Sequence, residues 1–268
     1  MPRLSIIIVT FNSREQIDVC LQWLINGVHV DREIVVVDNT STDGTAAHLR
    51  ERWPGVRLIE AGSNLGFARA CNIGIRQTFG ELVLLLNPDT AVVAGAIDRL
   101  VSALDRDGTV AVVGPRILDA DGYAELSFGR MVAPVAELRQ KALMAINKRR
   151  VPVLRRVVTQ MTRRTRYVDW VTGACLLAHR RDLEAVGLLD ERFFLYTEDV
   201  DLCAAVRARG RTVLFSADSQ IVHIRGQSVA SARGPSHDAY RRSQLAFYEK
   251  HHPRWAWALR AYVKIREK

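Results

Sequence analysis

The sequence predicts an α/β fold in which a mostly parallel, doubly wound sheet is flanked by helices. In the first half of the chain, apolar runs of strand length alternate with amphipathic segments of helical periodicity, the order typical of parallel sheets. The chain has 268 residues, 48% of them hydrophobic, so it can build one large domain with a full core. Three of the apolar runs end in polar clusters, which indicates a ligand site at one edge of the sheet.

The first strand and helix are the most clearly marked elements. Residues 4–10 form a near-continuous apolar run, which predicts a strand buried on both faces. Ser13 and Gln16 have capping-box spacing, so we expect the Ser13 hydroxyl to accept a hydrogen bond from the Gln16 amide. Apolar residues then recur at i, i+3, i+4 and i+7, the stripe of a helix packed on a sheet: Ile17, Cys20, Leu21 and Leu24.

The rest of the first half continues the alternation. Short apolar runs predict strands, and the segments between them have helical spacing, with entry signals at Ser41–Gly44 and at Asn64 and Gly66. The predicted strands are 33–37, 56–59, 82–86 and 110–114, and the predicted helices are 45–53, 66–78 and 97–104.

The second half is less regular. Residues 119–122 predict a hairpin turn, and Gly187 and Gly210 stand where a glycine ends a helix. The predicted strands are 170–177, 212–215 and 220–224, and the predicted helices are 181–186, 199–209 and an amphipathic, basic segment over 239–268.

The positive charge of the chain is concentrated in one segment. The formal net charge is +9, yet residues 130–166 alone carry eleven Lys or Arg and one acid, so the rest of the chain is close to neutral. Apolar residues recur there at helical spacing between the basic ones, which suits a helix lying on an anionic membrane surface. The same faces can instead pack on the domain or on a second subunit. Nucleic acid is not an expected partner, because no nucleic-acid-binding module is present.

The cysteines and the apolar runs limit the class of protein. The four cysteines form no Cys-x-x-Cys pair and are interpreted as buried thiols of a reducing cytoplasm: Cys20, Cys71, Cys175 and Cys203. No apolar run approaches the roughly 18 residues of a transmembrane helix. The first residues lead directly into a strand, so we expect no signal peptide.

Polar residues stand at the ends of three predicted strands: 10–12, 38–39 and 87–89. Asn and Asp at one such position would usually only cap a turn. At three successive strand ends they favour a ligand site, because the carboxyl ends of parallel strands meet at one edge of the sheet.

These clusters resemble the family-2 glycosyltransferases with the GT-A fold, and within them the rhamnosyltransferase-like subgroup. The matching stretches occur in the family's order and are 6–12 (IIIVTFN), 36–45 (VVDNTSTDGT), 64–74 (NLGFARACNIG), 84–89 (LLLNPD), 172–175 (TGAC), 193–202 (FFLYTEDVDL) and 223–228 (HIRGQS). The resemblance implies a GT-A fold with a basic helical insertion and a C-terminal helical tail.

The resemblance implies a site for a nucleotide-sugar donor along the strand ends. Asp38 would accept the imide proton of uracil or thymine, and a helix start near Gly66 would favour the diphosphate through its free amides. The full predicted set is Thr10, Asn12, Asp38, Asn39, Asn64, Gly66, Phe67, Ala68, Asn72, Asn87, Asp89 and Arg225.

A divalent cation, Mg²⁺ or Mn²⁺, is the cofactor that the resemblance implies for the diphosphate. The family's D-x-D element is here Asn87-Pro88-Asp89, so the first carboxylate is an amide without charge and Asp89 would carry most of the binding. Asn87, through its amide oxygen, and His223 are the further predicted ligands. Arg225 would neutralise phosphate with its planar fork.

The acceptor hydroxyl needs a general base, and three acids at a helix start offer one. Glu198, Asp199 and Asp201 lie within four positions, and crowding raises at least one carboxyl pKa. The resemblance assigns the base to Asp199, with Glu198 as neighbour and rival. The predicted acceptor-binding residues are Trp170, Thr172, Gly173 and Asp201.

The resulting hypothesis is an inverting transferase that moves rhamnose from dTDP-rhamnose to a glycan or polyprenyl-diphosphate-linked acceptor. UDP-galactose, UDP-glucose and UDP-N-acetylglucosamine are alternative donors, and a non-catalytic sugar-nucleotide-binding subunit is an alternative class. A Rossmann dehydrogenase is set aside, because no G-x-G-x-x-G follows the first strand.

We expect a cytoplasmic protein, peripheral on the inner face of the cell membrane, with a homodimer possible. The expected organisation is a nucleotide-sugar-binding half over 1–115, and an acceptor-binding and catalytic half of the same domain over 116–228. The basic insertion covers 130–166, and an amphipathic basic tail covers 229–268.

Overall fold

The computed structural model describes residues 1–133, 152–224 and 233–266. Arg225 and residues 134–151 of the predicted basic insertion lie outside the described residues. The strands are β1 (Leu4–Thr10), β2 (Arg32–Asp38), β3 (Arg57–Glu60), β4 (Leu82–Leu86), β5 (Thr90–Val92), β6 (Val110–Asp119), β7 (Phe128–Gly129), β8 (Arg166–Val168), β9 (Trp170–Val171), β10 (Cys175–His179) and β11 (Thr212–His223). The helices are α1 (Arg14–Gly27), α2 (Thr45–Arg52), α3 (Phe67–Arg76), α4 (Ala96–Asp105), α5 (Pro152–Met161), α6 (Arg180–Ala185), α7 (Glu198–Ala208), α8 (Arg233–His251) and α9 (Pro253–Arg266).

A central sheet organises the molecule and confirms the predicted α/β fold. Within the described residues it has nine strands in the order β3-β2-β1-β4-β10-β6-β11-β5, with β8 paired to β11. Strands β3, β2, β1 and β4 are parallel to one another, and β6 is parallel to β11. Strand β10 runs antiparallel between β4 and β6, and β5 and β8 pair antiparallel with β11. The second half of the sheet is therefore mixed rather than parallel.

Helices cover both faces of this sheet, which explains why its strands are continuously apolar. Along β1, Ile6 and Ile8 join a core on one face, with Leu21 of α1 and Leu100 of α4. Ile7 joins the core of the other face together with residues of α3, α7 and α8. The four cysteines are free and buried, as predicted. No helix among the described residues is both long and apolar enough to cross a membrane.

The start of α1 corrects one expectation. The Ser13 side chain makes no cap hydrogen bond to Gln16, and its hydroxyl donates to the Phe11 carbonyl at 3.3 Å. The Asp43 carboxylate accepts from the Arg14 amide at 3.1 Å instead. The loop after β2 therefore caps α1 from a distance in sequence.

Three predicted strand boundaries also differ. The stretch 170–177 is divided into β9 and β10 by a turn at residues 172–174, and 212–215 and 220–224 form the single strand β11, with a register shift between Ser216 and Gln220. The hairpin turn at 119–122 is confirmed, since the Gly122 amide donates to the Asp119 carbonyl at 2.9 Å.

Candidate active site

The carboxylate of Asp38 lies at the end of β2, opposite Thr10 in the register of β1. Its Oδ1 accepts hydrogen bonds from the Thr10 hydroxyl at 3.0 Å and the Ser41 hydroxyl at 2.5 Å. Its Oδ2 accepts from the Ser41 amide at 3.0 Å. With 2% of the residue exposed, Asp38 is fixed in one orientation and shapes the loop after β2.

Asn12 joins the loops that follow β1 and β2. It adopts a left-handed backbone with φ of 53°. Its amide donates to the Ser41 hydroxyl at 2.9 Å, and its Oδ1 accepts from the Thr42 amide at 2.7 Å. Two of the three predicted strand-end clusters therefore meet through direct hydrogen bonds.

Asn39 and Asn64 connect the end of β2 to the start of α3. Asn39 Oδ1 accepts from the Leu65 amide at 2.8 Å, and its Nδ2 donates to Asn64 Oδ1 at 2.9 Å. The Gly66 amide donates to Asn64 Oδ1 at 3.2 Å, and the Phe67 amide donates to the Phe194 carbonyl at 2.7 Å. These amides at the helix start, expected to be free for an anion, already donate within the protein.

Ala68 and Asn72 follow on α3, and both are completely buried. The Asn72 side chain donates to the Leu189 carbonyl at 2.9 Å and accepts from the Leu189 amide at 3.1 Å. It also donates to Glu191 at 3.0 Å. The Asn72 side chain therefore links α3 to the loop before α7.

Asp89 and His223 lie together at the ends of two strands that pair next to them. Thr90 of β5 faces His223 of β11 in the antiparallel register, and Asp89 Oδ1 lies 3.0 Å from His223 Nε2. Their side chains are 14% and 11% exposed. The predicted pair of ligands is thus brought together across 134 positions of sequence.

Glu125 is a further carboxylate at this place, which the sequence did not indicate. Its Oε2 lies 3.8 Å from His223 Nδ1, on the side of the ring away from Asp89. Its amide donates to the Ile117 carbonyl at 2.8 Å, just after the 119–122 hairpin. The predicted turn at 119–122 was a signal for the position of Glu125, because after a hairpin turn the chain runs back along the strand that precedes the turn.

Asn87 is half-buried, and its backbone connects Asp89 to the turn between β9 and β10. Its amide donates to the Ala174 carbonyl at 3.0 Å, and its carbonyl accepts from the Thr90 hydroxyl at 2.7 Å. Asn87 and Asp89 are both partly exposed. The bond to the Ala174 carbonyl places Asn87 next to the turn between β9 and β10.

Asp199 is held by this same turn. Its Oδ2 accepts from the Gly173 amide at 2.7 Å and its Oδ1 from the Val200 amide at 2.8 Å. Burial raises the pKa of Asp199, although these two amides and the Thr172 hydroxyl oppose the rise. A carboxylate with a raised pKa and a fixed orientation is suited to general-base chemistry.

Glu198 lies deeper than Asp199, with 5% of the residue exposed. Burial, together with the negative charge of Asp199, raises the pKa of Glu198 well above its ordinary value. Among the described residues, its Oε2 has no hydrogen-bond partner. The two neighbours in sequence thus differ, since Glu198 is buried in the core with a strongly raised pKa and Asp199 lies at the partly accessible edge.

The remaining predicted acceptor residues are placed differently. Thr172 and Gly173 lie in the turn that holds Asp199. Trp170 is 6% exposed, and its indole N–H donates to the Arg130 carbonyl at 2.9 Å. The Asp201 side chain is 3% exposed and paired with Lys250 and His251 of α8. The structure therefore places Trp170 and Asp201 in packing and anchoring positions.

A family model for glycosyl transferase family 2 matches residues 5–167. An N-acetylglucosaminyl-diphospho-decaprenol L-rhamnosyltransferase of Mycobacterium tuberculosis is 28% identical over 98% of this chain and 91% of its own length. A low-salt glycan biosynthesis hexosyltransferase, Agl10, of Haloferax volcanii is 30% identical over 86% of this chain and 69% of its own length.

Solved glycosyltransferases share the fold. The mannosyltransferase PcManGT of Pyrobaculum calidifontis, solved with GDP-Man and Mn²⁺, superposes with a TM-score of 0.65 at 20% identity, over 97% of this chain and 69% of that one. GalNAc-T7, solved with UDP, GalNAc and Mn²⁺, gives a TM-score of 0.66 at 18% identity over 91% of this chain. This chain spans 48% of the GalNAc-T7 chain. The predicted GT-A fold is confirmed, and the chain belongs to glycosyl transferase family 2.

Proposed function

We propose that this glycosyltransferase moves rhamnose from dTDP-rhamnose, with inversion, to a hydroxyl of a lipid-linked precursor of a cell-surface glycan. The observation that carries the proposal is the match to the mycobacterial rhamnosyltransferase, which runs over 98% of this chain and 91% of that protein. The alignment thus includes the strand ends, the hairpin with Glu125, the acidic helix start and α8. The name of that relative supplies both the sugar and the lipid diphosphate acceptor.

The surroundings of Asp199 support its assignment as the base. In the proposed step, Asp199 takes the proton of the acceptor hydroxyl while that oxygen attacks the anomeric carbon. The bond from the anomeric carbon to the nucleoside diphosphate breaks, and the diphosphate leaves with the electron pair. The amides of Gly173 and Val200 hold the two carboxylate oxygens, so the carboxylate does not need to reorient before the proton moves.

Asp89 and His223 are the residues that would hold a divalent cation, Mg²⁺ or Mn²⁺. A carboxylate and an imidazole 3.0 Å apart at adjacent strand ends form a donor pair that suits Mn²⁺ and accepts Mg²⁺. No group of three His, Cys, Asp or Glu within the described residues could hold a metal alone. The pair therefore fits an ion that completes its coordination with diphosphate oxygens, water and the Asn87 amide oxygen. When bound, such an ion stabilises the charge on the departing diphosphate.

Glu125 would orient the imidazole for this task. A carboxylate near His223 Nδ1 favours the tautomer that leaves Nε2 free for the cation. Asn12, Asp38 and Asn39 would line the nucleoside pocket, and the partly exposed Phe67 would lie next to the diphosphate. Arg225, outside the described residues, remains a proposed phosphate ligand.

Exposed aromatic and basic residues support a membrane location. On α9, Trp255 and Trp257 are 56% and 69% exposed, and Arg254 and Arg260 lie on the same helix. Indole rings beside basic residues are typical of helices that rest in an anionic interface. We place this helix against the cytoplasmic face of the membrane, where a lipid-linked acceptor is accessible.

Thermal stabilisation by a panel of nucleotides and nucleotide sugars, with and without Mn²⁺, tests the proposal. We expect dTDP and dTDP-rhamnose to raise the melting temperature selectively, and Mn²⁺ to increase that rise. The Asp89→Asn variant should lose the part of the rise in melting temperature that depends on Mn²⁺. Asp121→Asn, at the exposed tip of the hairpin, is the matched control and should keep it.

Each other outcome contradicts one part of the proposal. A rise in melting temperature with UDP compounds alone would show that the donor is a UDP-sugar and not dTDP-rhamnose, while the proposed fold and site would stand. No rise in melting temperature with any nucleotide would contradict the binding of a nucleotide-sugar donor by this chain. Transfer of radiolabelled rhamnose to a polyprenyl-diphosphate N-acetylglucosamine acceptor tests the acceptor directly.

A further inference from the structure

The segment that leads into α7 has an unfavourable backbone conformation. Tyr196 and Thr197 are consecutive non-glycine residues with φ of 71° and 65°, in the left-handed region that side chains disfavour. Such a conformation persists only where the surroundings enforce it. Glu198 and Asp199 follow directly, so the orientation of the proposed base depends on whatever holds this turn.

Helix α8 contacts the turn from the C-terminal part of the chain. The Ser243 hydroxyl donates to the Leu195 carbonyl at 2.8 Å, and Ser243 is 2% exposed. The ring of Tyr240 meets the ring of Tyr196 edge to face, with centroids 5.8 Å apart. Both contacts act on residues immediately before the acidic pair.

The end of α8 is anchored to the first turn of α7. Lys250 Nζ donates to Asp201 Oδ2 at 2.8 Å and to Asp190 Oδ2 at 2.8 Å. His251 Nε2 lies 2.6 Å from Asp201 Oδ1. Asp201 is two residues after Asp199. Its side chain is only 3% exposed, so dissolved salt weakens its ion pair with Lys250 less than it weakens an exposed pair.

We propose that α8 is part of the catalytic apparatus, with Ser243, Lys250 and His251 as positioning residues that hold the 195–197 turn and the first turn of α7. Through these contacts they keep the Asp199 carboxylate directed at the acceptor hydroxyl. Helix α8 lies beyond residues 5–167, which the family model covers. The inference rests on the proposed role of Asp199 as base.

Four variants test this role: Lys250→Met, Ser243→Ala, Lys250→Arg and Glu249→Gln. Lys250→Met removes the ion pair with Asp201 of α7, and Ser243→Ala removes the hydrogen bond to the Leu195 carbonyl in the turn. Lys250→Arg keeps a cation that can bridge two carboxylates. Glu249→Gln is the matched control, because Glu249 is next to Lys250 on α8 but pairs with Arg260 of α9.

Hydrogen–deuterium exchange of the backbone amides of 195–201 is the first readout. We expect Lys250→Met and Ser243→Ala to exchange faster there than the unaltered protein, while Lys250→Arg and Glu249→Gln match it. The second readout is turnover with whichever nucleotide sugar the unaltered protein uses. In Lys250→Met and Ser243→Ala we expect kcat to fall by on the order of tenfold or more, while the nucleotide Kd stays within about twofold of that of the unaltered protein. Lys250→Arg should recover the kcat of the unaltered protein.

Unchanged exchange over 195–201 in both Lys250→Met and Ser243→Ala would overturn the inference. So would a fall in kcat that Glu249→Gln shares, because that result reports a general loss of stability. The exchange experiment needs no substrate. A protein that turns over no nucleotide sugar therefore contradicts the proposed function, while exchange still decides whether α8 holds the turn.

Discussion

Gly66 and Phe194 lie in direct backbone contact: a Cβ on Gly66 would be 2.4 Å from the Phe194 carbonyl oxygen, and Gly66 has φ of +83°. The Phe67 amide donates to that same oxygen at 2.7 Å. The loop at the start of α3 and the turn that leads to Asp199 are therefore joined at a place where only glycine fits.

Gly66→Ala should destabilise the protein more than Gly62→Ala. Gly62 also has a positive φ, of +76°, but nothing lies within 4 Å of its Cβ position. Gly62→Ala should cost about 1 kcal/mol for the left-handed backbone, and Gly66→Ala about 2 kcal/mol more for the clash. Urea unfolding measures both. Equal losses would show that the contact with Phe194 does not constrain this loop.

Asp199→Asn should lower turnover by about 10²-fold to 10⁴-fold without weakening nucleotide binding, because the amide cannot take the acceptor proton. Glu198→Gln is the matched comparison and should stay within a few-fold of the unaltered enzyme, since Glu198 is buried away from the accessible edge and a glutamine amide has nearly the same shape as its carboxyl group. Steady-state kinetics and nucleotide titration measure the two effects. The opposite ranking would assign the base to Glu198.

The raised pKa of Glu198 predicts how stability depends on pH. A carboxyl whose pKa is raised by folding stabilises the protein below its unfolded pKa, and that stability is lost as pH rises through the folded pKa. Each unit of the rise corresponds to about 1.4 kcal/mol. Glu198→Gln lacks this loss, so it should be the more stable protein at neutral pH. Urea unfolding across pH should show the difference shrinking as pH falls toward 4.5, the ordinary pKa of the group.

Glu125→Gln should weaken Mn²⁺ binding to the nucleotide-bound protein by about tenfold, because the imidazole of His223 loses the carboxylate that orients it. His223→Gln should weaken it further. Electron paramagnetic resonance of added Mn²⁺ measures the free ion without any turnover. Asp121→Asn on the same hairpin should bind Mn²⁺ like the unaltered protein, and a loss shared by Asp121→Asn would point to a distorted hairpin instead.

The double variant Trp255→Ser, Trp257→Ser should bind vesicles that contain anionic lipid more weakly, with unaltered melting temperature. Exposed indoles supply the apolar part of interfacial binding. Phe79→Ser removes a comparably exposed aromatic residue, 65% exposed, outside the tail, and should leave binding unchanged. Vesicle cosedimentation at low and high salt measures the effect. Retained binding in the double variant would argue against the membrane location of α9.

The strands and helices of the first half were predictable because the spacing of their apolar residues directly reflects which faces of each element are buried. Strand β1 is buried along its whole length, and a run buried on both faces is visible in the sequence alone. Strands β5, β7 and β8 were missed, since two or three residues carry no period. The break at 172–174 was missed because its cause, the bond from the Gly173 amide to Asp199, is distant in sequence.

The candidate site was predictable where a residue's role depends on the end of a strand, and less so where it depends on packing. Thr10 meets Asp38, as expected from adjacent strand ends, and Asp89 meets His223, as the family resemblance implied. Trp170, Asn72 and Asp201 carry the same motif signals, but their side chains are directed into the protein by partners such as Lys250 that no spacing reveals.

The pairing of β5 with β11 has a consequence for synthesis. Asp89 emerges early from the ribosome, whereas His223 follows 134 residues later and is placed beside it by the last strand of the sheet. Strands β1 to β4 and their parallel pairing precede β11 in the sequence, so the parallel half of the sheet can form before β11 has been made. Asp89 and His223 therefore come together only after most of the chain has been made, so the part of the site that depends on both residues is completed late in synthesis.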